Sequence, residues 1–550
     1  MVCRARNFIR TKYVLAGVTL FCVSWLASVS EWHSGVRWSG RREGGRLSTM
    51  RTIVAYSEGK QAEMDRPSPV TCDRLPAYPE VPYINRTWTP GEKAKSVWQR
   101  VAGTRVSLFS AYYDERTPQR YVRILGTFEG RNISSVQPLF CQTRILNPYD
   151  DSVEVVAAKP MEIWWHEWDA TSIGIETPLL LSCPLTEPLD RPSLVSVVTQ
   201  PCDDPTNAFY LEPSATIKNK RNFTICVKDM NFNEDISQSL VEWIETNKIL
   251  GVDNIDIYID KLVQRTENVL QHYRDEGFVR VFNVPIKNKP ERSLWQRRRD
   301  HIITYNDCLY RNLRESEFVI PLDIDEIILP KVADTFPELI ERLKINGFNP
   351  AQDSAIMVRN VFFFGFMQGL DKYKHRTTQT KSKMYVKRDD VRIKNESNLG
   401  IGEIELVDDT FSNEVIDDNA LDEDLREKYK SRCNKDLPIP KLVQHIIRSA
   451  IVSPVGYYSK SLMLTRKVLT AFNHYPLSSL GTSGFAGWAA PYKEVQLNHY
   501  KESCNTTVVA ECARYGRRAR VDRAALRLRR RLAAALASAI CTSNTPINTT

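Results

Sequence analysis

Twelve cysteines occur among the 550 residues, yet none stands in a C-x-x-C pair. That absence excludes ribbon-type and finger-type zinc sites, which need ligands at such spacing. A basic body is lacking too. Of the formal net charge of +9, nine arginines and one aspartate from Arg514 onward supply +8. The remainder is nearly neutral, so no nucleic-acid face is implied. Charge is absent altogether from residues 13–30. As a helix that stretch spans about 27 Å, enough for a thin bilayer. Arg4, Arg6, Arg10 and Lys12 precede it. A basic flank stays cytoplasmic, so everything after it would face the lumen. Small residues near Ser28 and Ser30 leave a cleaved signal peptide as the alternative. Both readings put the bulk of the chain in the secretory pathway.

Two features agree with that compartment. Six glycosylation sequons follow the apolar span, at Asn85, Asn132, Asn222, Asn395, Asn505 and Asn548. Ten cysteines lie beyond it, an even number that permits disulfides without fixing their pairing. Buried free thiols remain an alternative for Cys226 and Cys308, which sit in apolar patterns.

The chain is too long for one core. Residues 1–12 read as a cytoplasmic tail, 13–30 as a signal anchor and 31–95 as a stem. Residues 96–200 alternate in short apolar segments, among them Val106–Tyr113, Tyr121–Leu125, Val153–Val156 and Leu194–Val198, and predict a β-rich accessory domain. Within it, Trp164, Trp165 and Trp168 read either as core or as a platform for sugar rings. Residues 223–502 form a second domain, and 513–550 a basic low-complexity tail. The tail reads as separate from the body, so that truncation near Tyr515 should leave activity intact.

In the second domain the apolar period switches. Strands at Phe223–Val227, Ile255–Ile259 and Phe278–Phe282 alternate with helical patterns at Ile236–Leu250, Leu262–Tyr273 and Leu294–Leu313. Such alternation predicts an α/β fold with a mostly parallel, Rossmann-like sheet and right-handed crossovers. The fourth strand, Phe318–Leu322, runs into Asp323, Asp325 and Glu326. Carboxylates at the carboxyl end of such a strand lie where open α/β sheets bind ligands. Two of them, one residue apart, can hold a hard divalent cation against a diphosphate. A second D-x-D, Asp422-Glu-Asp424, has no strand before it and reads as a solvated run. Asp260, ending the second strand, reads as a ribose or base contact or as a turn residue.

Several ordered blocks carry a closer resemblance. Leu240-Val-Glu-Trp-Ile244, Ile249-Leu-Gly-Val252, Asn306-Asp-Cys-Leu-Tyr310, Pro321-Leu-Asp-Ile-Asp-Glu326, Lys460–Arg466 with His474, and Asn498-His-Tyr500 together resemble glycosyltransferase family 92. The resemblance implies a GT-A fold on a single-pass type II Golgi membrane protein. It also implies metal-dependent transfer of galactose from UDP-galactose to a glycan or glycoprotein acceptor, with inversion. Asp323 and Asp325 match the family's acid pair, and His499 its late His-Tyr; the three would hold Mn²⁺ or another divalent cation. His301 stands where the family often has Gln. Asp260, Asp307 and His301 are the donor-site candidates, Asp307 being equally a structural residue. His474 matches a family histidine whose role can be packing.

Inversion needs a base for the acceptor hydroxyl. Glu403, Glu405, Asp408 and Asp409 are available, and the sequence does not choose among them. Two competing readings stay open. Haloacid-dehalogenase-like phosphatases also end a strand in D-x-D, but at the first strand of their core. A carbohydrate-binding protein on a degenerate transferase fold would keep the architecture without turnover.

Overall fold

The computed structural model describes residues 68–75, 98–133, 137–147, 150–165, 174–186, 192–211, 220–284, 292–368, 385–387, 403–406, 440–481, 487–502 and 512–542. The proposed anchor, most of the proposed stem, Trp168, Asp408 and Asp409 lie outside these residues. No helix among the described residues is long and apolar enough to cross a membrane.

The accessory region forms two antiparallel sheets. One orders Gln99–Arg100, Val106–Asp114, Tyr121–Glu129, Glu176–Pro184 and Lys159–Glu162; the other orders Asp150–Ala157, Phe140–Asn147, Leu194–Val198 and Phe209–Tyr210. Alternate residues point to opposite faces of a strand. Val122 and Ile124 therefore enter the core shared with Val156, Val195 and Val197 of the other sheet, and a Cys141–Cys183 disulfide joins the two. Leu125, on the opposite face, packs with Ile302, Tyr305 and Leu309. Trp164 is fully buried there under the Arg299 guanidinium, 4.3 Å from its ring centroid. It is core, and its ring is closed to sugars.

The second region carries the functional edge. β1 (Arg221–Asn231), α1 (Ser237–Ile249), β2 (Asn254–Lys261), α2 (Gln264–Asp275), β3 (Val279–Asn283), α3 (Leu294–Arg311) and β4 (Ser316–Pro321) alternate as the apolar periods predict. β5 (Glu326–Pro330), α4 (Phe336–Ile345), β6 (Ala355–Val358), β7 (Asn360–Phe364), β8 (Lys460–Leu464), β9 (Gly487–Ala489) and β10 (Val495–Lys501) follow. The seven-stranded sheet runs β3-β2-β1-β4-β8-β6-β9. β3, β2, β1 and β4 are mutually parallel, while β8 is antiparallel to both neighbours. The chain moves outward from β1 to β3 and then returns to the other side of β1. Strand order thus reverses between β1 and β4, the position at which α/β sheets bind ligands. Cys226 and Cys308 form a disulfide that ties β1 to α3, so the free-thiol alternative does not hold.

The arginine-rich tail is part of the body. Arg518–Val521 pairs antiparallel with Ile447–Ser449, and α5 (Arg529–Thr542) lies on α1. Leu528, Leu532 and Leu536 are buried in the same core as Leu240 and Trp243. The expectation of a separable tail is corrected here: aliphatic residues at four-residue spacing make one buried helix face.

In the accessory region, Asp114 accepts hydrogen bonds from Arg116 Nε (2.7 Å) and Arg123 Nε (3.1 Å). Burial opposes its ionisation, but the two guanidiniums outweigh burial and bring its pKa down to about 2. A carboxylate so shifted adds about 2 kcal/mol of stability above its unfolded pKa, and this fades as the pH falls through the folded value. Asp114→Asn is therefore expected to lower the thermal midpoint more at pH 7 than at pH 2.5. Melting curves at the two values check it.

Candidate active site

The turn from Leu322 to Asp325 joins β4 to β5, and three backbone tethers hold it. The Asp323 N–H donates to Glu326 Oε2 (3.0 Å), the Glu326 N–H to the Asp323 carbonyl (3.0 Å), and the Tyr500 N–H to the Asp325 carbonyl (2.8 Å). The Trp243 indole N–H, from α1, donates to the Glu326 carbonyl at 2.8 Å. The block Leu240–Ile244 thus positions the acids from behind.

β10 brings the histidine. It lies between β5 and β7, with His499 directly opposite Glu326 on one side and Phe362 on the other. The Phe362 ring, 5.1 Å away centroid to centroid, flanks the imidazole. Nε2 of His499 lies 3.4 Å from Asp325 Oδ2, and Nδ1 lies 3.5 Å from Glu326 Oε1. Both ring nitrogens are buried, yet neither makes a hydrogen bond.

Three lysines complete the edge. Lys228, near the end of β1, lies 2.9 Å from Asp323 Oδ1. Fully buried Lys460 lies 3.4 Å from Asp323 Oδ2 and 3.1 Å from Glu326 Oε2, and donates to Asn473 Oδ1 at 3.0 Å. Lys501 donates to Asp325 Oδ2 at 2.7 Å. Burial resists ionisation of Asp323, but Lys228 and Lys460 outweigh it and hold its carboxyl well below the usual range. Asp325 is lowered likewise, burial being outweighed by His499 and Lys501. Buried Glu326 is pushed up, against the pull of Lys460. The Nδ1–H of His474 donates to the Ser459 carbonyl (2.9 Å), and burial together with Lys460 brings its pKa down to about 3, so it is neutral.

Asp325 and His499 form an O,N donor pair whose separation of 3.4 Å is close to the edge of about 3 Å between neighbouring ligands of an octahedral ion with bonds near 2.1 Å. With its unbonded imidazole, this pair fits a divalent cation. Asp323 is turned toward its lysines, and among the described residues no three His, Cys, Asp or Glu side chains already enclose one point.

Beside this edge, Asp260 and His301 meet in a second polar cluster. Asp229, near the end of β1, lies 3.0 Å from His301 Nε2. Arg292 reaches Asp229 (3.4 Å), Asp260 (2.8 Å) and Asp300 (2.7 Å), and Asn231 Nδ2 donates to Asp260 at 2.6 Å. Asp307 is not with them. It is fully buried and accepts hydrogen bonds from the Tyr112 and Tyr258 hydroxyls and from Arg311 Nε. Its donor-site reading is corrected to a structural one, joining the accessory sheet to α3. Glu403 and Glu405 lie on a short strand, Glu403–Leu406, between Tyr385–Lys387 and Arg518–Val521.

Sequence reasoning passed over Lys228, Lys460, Lys501, Asp229 and Arg292. For Lys228 the signal was available: a cation directly after an apolar strand, at the ligand-binding end of a parallel sheet.

Residues 221–527, more than half of the chain and all of this edge, match the signature of Glycosyltransferase family 92. The chain belongs to glycosyltransferase family 92. The Caenorhabditis elegans protein "Beta-1,4-galactosyltransferase galt-1" is 23% identical over 237 residues, covering 41% of this chain and 51% of that protein. A second C. elegans relative, "Glycosyltransferase family 92 protein F13G3.3", is 29% identical over 119 residues, covering 20% of this chain and 23% of the relative. The chain thus spans about half the length of the first relative and about a quarter of the second. Family membership removes the phosphatase reading. It also places the acid pair and His499 within the part that matches family 92.

Proposed function

We propose that this family 92 protein moves galactose from UDP-galactose to a glycan acceptor with inversion, on a GT-A fold, using a divalent cation such as Mn²⁺. One observation carries the reading: the β5–β10 register sets His499 against the D-x-D turn, with its imidazole 3.4 Å from Asp325. The relative named a β-1,4-galactosyltransferase supports the sugar and the stereochemistry. UDP-galactose is α-linked, so a β-linked product requires inversion.

Asp325, His499 and Asp323 are the residues that would hold the cation. A bound cation supplies positive charge to the diphosphate as UDP leaves. Asp229, Asp260 and His301 border the donor site at the strand ends. The acceptor hydroxyl attacks the anomeric carbon as its bond to the phosphate oxygen breaks. The proton passes to an acid among Glu403, Glu405, Asp408 and Asp409. The three disulfides among the described residues suit an oxidising compartment, in keeping with a type II Golgi membrane protein anchored by residues 13–30.

The test is a panel of UDP-sugars with Mn²⁺, run on the full chain in detergent against a mixed N-glycan array. Transfer of galactose, abolished by EDTA and giving a β-linked product by NMR, is expected. Transfer of another sugar, or an α-linked product, contradicts the reading. Mn²⁺-dependent UDP binding without transfer from any donor favours the carbohydrate-binding alternative.

A further inference from the structure

We infer that Lys228 and Lys501 are exchangeable ligands: they neutralise the D-x-D carboxylates in the free protein and turn onto the donor diphosphate when a divalent cation takes those carboxylates. The inference rests on the donor and cation reading above and extends it to two residues.

The three lysines at this edge are not alike. Lys460 is fully buried and bound to Asp323, Glu326 and Asn473 at once. It has nowhere to turn, and it holds the turn in shape. Lys228 and Lys501 retain 30% and 34% side-chain exposure. Each makes one short ion pair, to Asp323 and to Asp325 respectively, and those are the two acids the cation needs. A lysine side chain is a point charge on a flexible stem, able to swing between neighbouring anions.

Charge balance gives the direction of the swing. In the free protein, Lys228 and Lys501 make the shortest ion pairs of Asp323 and Asp325, at 2.9 and 2.7 Å, with Lys460 and His499 farther off at 3.4 Å. A divalent ion arriving alone would leave both ammoniums facing it unpaired. A diphosphate arriving alone would meet ionised carboxylates. Arriving together, the ion neutralises the acids and the lysines neutralise the phosphates, which carry one negative charge each. Lys228 lies near the end of β1 and Lys501 ends β10, so the two ammoniums approach the acids from different strands. They can therefore grip a diphosphate from two directions.

The experiment compares Lys228→Met and Lys501→Met with the wild type, using the full chain in detergent. Mn²⁺ binding is measured without nucleotide by electron paramagnetic resonance, and UDP binding by calorimetry at saturating Mn²⁺. Each variant is expected to bind Mn²⁺ several-fold more tightly, because a competing ammonium is gone. Each is expected to bind UDP about tenfold or more weakly, the loss of one charge-assisted contact. Lys228→Arg and Lys501→Arg should restore most of the UDP affinity, which also covers the case in which a Met variant fails to fold. UDP affinity within about twofold of wild type in the Met variants, or weakened Mn²⁺ binding, overturns the exchange. A wild type that binds no UDP at any Mn²⁺ concentration sinks the donor reading itself, and the exchange with it.

Discussion

Asp325→Asn and His499→Ala are each expected to lower the proposed galactosyl transfer by about 10³-fold at saturating donor, the scale of losing a group that stabilises departing charge. On the proposed reading these two residues would hold the cation, their O and N donors lying 3.4 Å apart. Asp325 is a little over one-third exposed, so its ion pair with Lys501 is partly screened and contributes at most about 1 kcal/mol. His499 faces it as well, so Asp325→Asn should lower the thermal midpoint by no more than a few degrees. His499→Ala also removes the ring flanked by Phe362 and should cost a few degrees. The control is Asp307→Asn. It removes the negative charge and one of the two oxygens that accept from Tyr112, Tyr258 and Arg311, so it should lower stability while the surviving folded protein keeps its metal dependence. Initial rates with and without added Mn²⁺, together with melting curves, separate the two patterns.

Truncation after Tyr515 is expected to abolish folded protein. The cut removes Leu528, Leu532 and Leu536 from the core around α1. Burying a leucine contributes roughly 1.5–3 kcal/mol, so the three together supply roughly 5–9 kcal/mol. That is comparable with the entire net stability of a typical domain, about 5–15 kcal/mol. The strand Arg518–Val521 goes as well, and with it the hydrogen bonds to Ile447–Ser449. The damage reaches the site through α1, whose Trp243 holds the Glu326 carbonyl. Truncation after Thr542 removes no described element and should be tolerated. Yield of soluble protein and the melting transition of the two truncations check this. Leu532→Asp in the full chain should reproduce most of the loss.

These cases show what the sequence makes legible. β1 to β4 and their helices could be read because apolar residues recur at strand period and then at helix period, and because β1, β2 and β4 are mostly buried while β3 lies at the sheet edge. The acids at Asp323 and Asp325 followed from that pattern alone. His499 did not. Its place beside them depends on the register of β10 against β5, a long-range pairing that no local period encodes, and only the ordered family blocks pointed to it. The lysines were obscured for a different reason. Lys460 and Lys501 resemble solvated residues until their partner strands are known; Lys228 alone carried a local signal, directly after an apolar strand. In the tail, nine arginines drew attention to charge, while Leu528, Leu532 and Leu536, spaced four apart, carried the packing. Asp307 stands among polar neighbours in Asn306-Asp-Cys308, yet the accessory sheet covers it. Its burial arises from a contact between regions far apart in the chain.

Mn²⁺ bound to the full chain with UDP, observed by electron spin echo envelope modulation, tests the central claim most directly. Nitrogen modulation from a directly coordinated imidazole is expected in the wild type and should vanish in His499→Ala. No nitrogen coupling in the wild type, or coupling that survives the substitution, would contradict a cation held between His499 and the acid pair.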